Sequence, residues 1–328
     1  MYKLIIYLLL SLVSIISIIV LLITIKFYRD KNFEKKFLAT YKPSRIENIG
    51  KVKNLSILPL IDYYSSNEKL AAESGVSYLI EADNKRILFD VGFNRENLHP
   101  SPLLQNMNAL NIKISDLDSI FISHLHVDHV GGLKAKKNRT FALSGEELDL
   151  GGIKAYTPTE MIHKSANIEV ISNSTKISEG IVSLGPIKRA IWGMGLTGEQ
   201  ALAINVEDKG IVLIVGCGHQ TIEKVLEQTE QLFDIPIYAI FGGLHFPVTS
   251  RDGDFVFNVR KVIGTGTLPW QGIKKSEVNN TIDYLLKKSF AKIGISAHDS
   301  CDWTIDTFKE AFKNKYEEIL IGRKIIIK

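Results

Sequence analysis

The 328-residue chain predicts a layered α/β fold behind an N-terminal transmembrane helix, and three observations carry that expectation. Leu4 to Ile25 is almost wholly apolar, interrupted only by Ser11, Ser14, Ser17 and Thr24, and is long enough to span a bilayer as a helix. Further on, short strand-like runs alternate with helical patterns, the alternation of layered α/β proteins. Finally, six of the eight histidines (His124, His126, His129, His219, His245 and His298) follow expected strands, where the loops of such folds converge.

Taken in order, residues 1–26 read as the anchor and 27–53 as a charged juxtamembrane linker containing Pro43, leaving 54–328 as the catalytic domain. A cleaved signal peptide fits less well, because the apolar core is long and no small-x-small site follows it. Gly75–Glu81 and Arg86–Gly92 form a hairpin around Ala82–Lys85, with Asp90 at its end either a turn former or a partner of a metal-holding histidine. A helix over Leu103–Leu110 precedes a strand over Asp116–Ile122. From Phe141 to Leu184 short apolar segments alternate with Gly, Ser and Asn, as in a second set of strands. Gln200–Val206 and Ile211–Val215 pair around Lys209-Gly210, the latter ending in Gly216-Cys217-Gly218-His219. A helix over Ile222–Phe233 leads to the strand Ile235–Phe241, which ends in Gly242-Gly243-Leu244-His245. Pro247–Gly272 has no clean period and reads as a long irregular loop, either shaping access to a site or lying on the surface as an insertion. A helix over Val278–Phe290, a strand ending at His298-Asp299 and a helix over Thr304–Phe312 complete the chain.

The chemistry concentrates in Ser123-His124-Leu125-His126-Val127-Asp128-His129-Val130-Gly131-Gly132, after the apolar run Ile120-Phe121-Ile122. In extended chain, side chains two residues apart project to the same side, so His124 and His126 can share one ion. Asp128 and His129 follow where two glycines let the backbone turn, and can hold a second ion beside the first. Packing imidazoles and a carboxylate this densely after a buried strand would be costly without a cation. In Gly-Cys-Gly-His, a thiol and an imidazole again stand two residues apart; Cys217 reads equally as a small buried hydrophobe, and His219 as a turn histidine. His163 and His99 read as ordinary surface histidines.

The motif His-Leu-His-Val-Asp-His-Val-Gly-Gly resembles the signature of the metallo-β-lactamase superfamily of metal-dependent hydrolases. With Gly-Cys-Gly-His, Gly-Gly-Leu-His and the late strand-end histidine, Asn54–Phe312 is similar to the dihydropterin-type (ribofuranosylaminobenzene 5′-phosphate) synthase branch. It departs from that branch at His298-Asp299-Ser300-Cys301, where relatives carry His-Cys-Thr-Gly. The resemblance implies an αββα sandwich with two divalent ions, zinc, manganese or iron, at one edge. It assigns His124, His126 and His219 to one ion and Asp128, His129 and His298 to the other. Cys217 stands where many members carry a bridging carboxylate, and His245 would hold metal or donate a hydrogen bond to developing charge.

The function expected from this is hydrolysis of an ester or phosphoester small molecule by metal-activated water, with Asp128 and His245 as the catalytic side chains. A transferase on a phosphorylated, pterin-pathway-like substrate and a non-catalytic metal-binding sensor are the alternatives. A formal charge of +4 is too small and diffuse to argue for nucleic acid, and nothing fixes an oligomeric state. Two cysteines make no disulfide framework and fit a reducing compartment. Lys26, Arg29, Lys31, Lys35 and Lys36 against Lys3 place the C-terminal flank of the span, and with it the catalytic domain, in the cytoplasm as part of a single-pass inner-membrane protein.

Overall fold

A computed structural model describes residues 2–43 and 45–328. It opens with one 39-residue helix, α1 (Tyr2–Thr40), whose apolar first part is exposed and is long and apolar enough to cross a membrane. Strands β1 (Leu55–Ile61), β2 (Ser77–Ala82) and β3 (Lys85–Phe89) form an antiparallel meander. Helix α2 (Pro102–Ala109) then leads to β4 (Ser119–Phe121), parallel to β3. After α3 (Leu133–Lys137) come β5 (Ile153–Thr157) and β6 (Ala166–Val170), both added in parallel. Next are β7 (Thr175–Ser178), β8 (Ile181–Ser183), the hairpin β9 (Ile187–Ile191) and β10 (Gly195–Glu199), and then β11 (Leu202–Val206) and β12 (Gly210–Val215). The chain closes with α4 (Ile222–Leu232), β13 (Ile237–Gly242), α5 (Phe255–Ile263), α6 (Lys275–Lys287), β14 (Lys292–Ile295), α7 (Asp302–Phe312) and β15 (Ile325–Ile327).

Among the described residues the strands make two large sheets, ordered β15-β1-β2-β3-β4-β5-β6 and β14-β13-β12-β11-β8-β7, and a separate two-stranded sheet of β9 and β10. Side-chain alternation sorts their residues into layers. Ile57, Tyr78, Ile80 and Phe89 of the first sheet meet Ile204, Val212, Ile214 and Phe241 of the second in a central core. Leu79, Leu88 and Ile120 point the other way, onto Leu103 and Met107 of α2, while Ala203, Leu213 and Ile240 point onto α4, α6 and α7. The result is four layers, αββα.

The helical and strand readings hold for the most part, with three corrections. The stretch expected as a linker is helical to Thr40, because its apolar residues recur on the side that docks: Phe27 is buried with Ala190 and Leu268, and Leu38 packs on the α4 core. Folded chain also starts before residue 54, since Ile49 and Val52 are buried and Val52 bridges to Val206. Second, Pro247–Gly272 is not wholly irregular but holds α5, capped by Asp254, whose side chain accepts the Phe257 N–H. Its Phe- and Val-rich sequence carries weak helix propensity and is fixed by packing instead. Third, the strand expected from Asp116 begins only at Ser119, Ile114–Asp116 being a short 3₁₀ turn.

Candidate metal centre

Every candidate donor lies just past the C-terminal end of a strand: Asp90 after β3, His124–His129 after β4, Cys217 and His219 after β12, His245 after β13 and His298 after β14. These ends meet at one edge of the sandwich, and His124, His126, Asp128, His129, Cys217, His219, His245 and His298 are all buried there. The thiol of Cys217 is the hub. It belongs to three sets of donor atoms that lie within 4.8 Å of one another: with Asp128, His129 and His298, with His124 and His219, and with His245 and Asp299. Its Sγ is 3.1 Å from His129 Nε2 and 3.3 Å from His298 Nε2. His163 stacks on Phe141 and, like His99, joins none of these sets.

Partners on the far side of each ring determine which nitrogen faces the centre. His129 Nδ1 donates to Asp90 Oδ2 at 2.6 Å, and His298 Nδ1 donates to Ser296 Oγ at 2.5 Å, which itself donates to Asp62 at 2.6 Å. His219 Nδ1 donates to the Gly264 carbonyl at 3.0 Å. His124 Nδ1 meets Ser123 Oγ at 2.9 Å, and that hydroxyl donates to Asp90 Oδ2 at 2.6 Å. His124, His219 and His298 therefore turn a bare Nε2 inward, whereas His129, despite its burial, is held above the usual imidazole range by Cys217, Asp128 and Asp90 and turns its Nε2 toward the Cys217 sulfur and the Asp128 carboxylate. His126 uses the other nitrogen: its Nε2 lies 3.3 Å from Thr197 Oγ1, and its Nδ1 faces His219 Nε2 at 3.1 Å. Two lone pairs so opposed repel unless a cation or proton lies between them. His124 Nε2 and both ring nitrogens of His245 have no hydrogen-bond partner among the described residues.

The electrostatics suit the same use. Burial holds His124, His126, His245 and His298 well below the usual imidazole range and takes His219 down to about 3, so all five present neutral, ligand-competent rings. Burial also raises the Cys217 thiol, which a cation would have to draw to thiolate. Asp128 stays well below the carboxylate range despite its burial, chiefly because Arg260 lies 2.8 Å from its Oδ2. The donor chemistry, the bare nitrogens and the facing lone pairs all fit divalent cations.

Several residues of the site stand outside the sequence reading. Arg260, on α5, reaches Asp128 and also the carbonyls of Ser74 and His298. Glu199, buried at the end of β10, accepts the N–H groups of Cys217 and Gly218 at 2.8 Å each and of His219 at 2.9 Å, so a single carboxylate shapes the whole turn. Asp62 and Asp299 are buried beside His298 and His245. Gly264 packs so tightly on the His245 ring that any side chain there would collide with it. Asp62 and Asp299 end apolar strands, a readable signal; Arg260 and Glu199 follow no pattern.

Two substitutions check this supporting shell. Glu199→Gln turns an amide N–H₂ toward backbone donors, and is expected to lower unfolding free energy by about 2–4 kcal/mol in denaturant titration. Arg260→Ala removes the charge partner of buried Asp128 without touching a candidate donor, so affinity for added zinc, read by competition with a chromogenic chelator, should fall about 10–100-fold.

Four layers with imidazoles, a carboxylate and a thiol buried at one sheet edge define a protein of the αββα class. The profile of the metallo-beta-lactamase superfamily matches residues 70–226. Over 269 residues the chain is 32% identical to 7,8-dihydropterin-6-methyl-4-(beta-D-ribofuranosyl)-aminobenzene-5′-phosphate synthase of Methanocaldococcus jannaschii, covering 70% of this chain and 87% of that one. The chain belongs to the metallo-β-lactamase superfamily. Two crystal structures share the fold: Tm1679, a metal-dependent hydrolase of the beta-lactamase superfamily (TM-score 0.58, 20% identity, 84% of this chain and 99% of that one), and YhfI of Bacillus subtilis, a metallo-beta-lactamase fold protein (TM-score 0.51, 12% identity, 84% and 100%).

Proposed function

We propose that this protein is a membrane-anchored, metal-dependent hydrolase of a small ester or phosphoester, with its catalytic domain on the cytoplasmic side. The observation that carries the reading is the convergence of imidazole nitrogens on the Cys217 sulfur in a buried cluster of donors. His124, His126 and His219 would hold one divalent ion and Asp128, His129 and His298 the other, with Cys217 between them and zinc favoured by thiolate and imidazole donors. Bound ions would supply a Lewis-acidic centre that makes hydroxide available near neutral pH.

The rest is the work of the chain. Asp90 and Asp62 hold the His129 and His298 rings, and Arg260 holds Asp128, so that the carboxylate keeps one orientation toward the reacting water. His245, uncommitted at both nitrogens, is free to donate a hydrogen bond to charge developing on the substrate. Burial of the whole set excludes bulk water and strengthens each of these interactions.

The 32% identity to a synthase supports a second reading, a transferase on a phosphorylated substrate. Full-length protein in detergent, assayed for metal content and for bis(p-nitrophenyl) phosphate turnover in ¹⁸O-water, tests both. Two metals per chain with ¹⁸O in the product support hydrolysis, with both metal and turnover lost in His126→Ala. Two metals without turnover favour the transferase, and a protein that takes up no metal excludes both.

A further inference from the structure

Where the apolar part of α1 ends, the helix is gripped by the walls of the metal centre. Thr24 Oγ1 accepts from Trp192 Nε1 at 3.1 Å, in the turn between β9 and β10, and Lys26 lies against Gly195 at the start of β10. One turn on, Phe27 is buried with Ala190 of β9 and with Leu268. Both gripping segments also build the site. Thr197, two residues and about 7 Å along β10 from Gly195, touches His126, and Gly264, four residues before Leu268, holds His219. The segments that hold the end of the apolar span are thus the ones that edge the site.

The chain around Leu268 carries an outward apolar face. Phe255 and Val262 stand seven residues apart on α5, with half-buried Val259 between them, so they fall on one side of the helix. Phe255 is 72% exposed, Val262 42%, and Trp270 65%. Other large exposed apolar residues of the folded domain, such as Leu98, Ile162 and Leu286, are scattered singly, whereas these three fall within one short segment. The opposite face of α5 is committed inward, with Phe257 fully buried and Arg260 on Asp128. Aromatic side chains on a short helix beside a membrane exit favour the headgroup region.

We propose that the Phe255–Val262 stripe of α5, together with Trp270, lies in the headgroup layer of the bilayer that α1 spans, making the α5 wall of the metal centre a membrane-contact surface. This rests on the anchor reading above. The test uses the full chain in phosphatidylcholine–phosphatidylglycerol nanodiscs, with Trp192→Phe and Trp303→Phe leaving Trp270 as the only indole. Trp270 should be quenched at least several-fold more by a doxyl-labelled lipid than is Trp303 in the matching Trp192→Phe/Trp270→Phe chain, and should be shielded from iodide. Phe255→Asp with Val262→Asp, both on the exposed face, should abolish most of that lipid quenching while the thermal transition stays in place. Iodide access to Trp270 without lipid quenching overturns the proposal, as does quenching unchanged by the aspartates. Carbonate extraction of the full chain from vesicles of the same lipids separates the two readings: chain that stays bound with a water-exposed Trp270 overturns this inference alone, and chain washed into the supernatant overturns the anchor with it.

Discussion

Cys217→Ala is expected to lower metal affinity by about a hundred-fold or more and kcat/KM by about a thousand-fold, roughly 4 kcal/mol of transition-state stabilisation. The thiol is the one atom common to all three donor sets, within 3.3 Å of both the His129 and the His298 nitrogens, so no neighbour can replace it without moving a strand end. Were Cys217 only a small buried hydrophobe, alanine would leave metal content unchanged and cost about 1–2 kcal/mol of stability from a cavity about one sulfur in size. Elemental analysis and denaturant unfolding on the same samples separate these outcomes. Cys217→Ser, which keeps the volume but offers a poorer donor, should resemble alanine in metal content and the parent in stability.

The second large effect concerns where the protein can be cut. Removing residues 2–23 leaves the docking residues Thr24, Phe27, Glu34 and Leu38 of α1 in place and is expected to yield a soluble domain that still binds metal. Starting the chain at residue 45 removes Phe27, Glu34 and Leu38 together. Glu34 is buried, accepts the Ala190 N–H at 2.8 Å and pairs with Arg189 at 3.3 Å, so its loss strands two polar groups at about 1–3 kcal/mol each. Losing the buried Phe27 ring adds about 2 kcal/mol. Against a total stability of about 5–15 kcal/mol, the shorter domain should melt about 10 °C or more below the longer one and lose metal first, because β9 and β10 carry Thr197 and Glu199. Differential scanning calorimetry of the two truncations decides this; equal transitions would mean that the second half of α1 contributes nothing.

Much of this site was legible because its donors are chemically rare and sit where strands end. His124, His126, Asp128 and His129 fall within six residues, and the runs before Cys217, His245 and His298 are apolar enough to mark buried strands. What escaped reading depends on distant packing. Glu199 gains its role only because the β11–β12 hairpin brings Cys217 back beside it, 18 residues later, and Arg260 only because α5 folds across the mouth of another loop. The helical second half of α1 was hidden for a related reason: its charged residues suit solvent, and only the β9–β10 hairpin, over 150 residues on, makes one face of it interior.

The pairing of β1 with β15 joins segments far apart in the chain: Leu55, Ser56 and Ile57 lie opposite Ile327, Ile326 and Ile325. Contacts of such long sequence separation carry a large loop-closure entropy and form late. Until they form, β1 offers a bare, apolar edge to any other chain, and once they have formed β15 is the outermost strand. Lys324, paired with Glu81 at 2.6 Å, sets a charge beside the closing isoleucines and discourages wrong pairing. Breaking the Ile325–Ile327 pairing would therefore expose an edge strand, and aggregation on refolding, rather than loss of metal, is its expected mark.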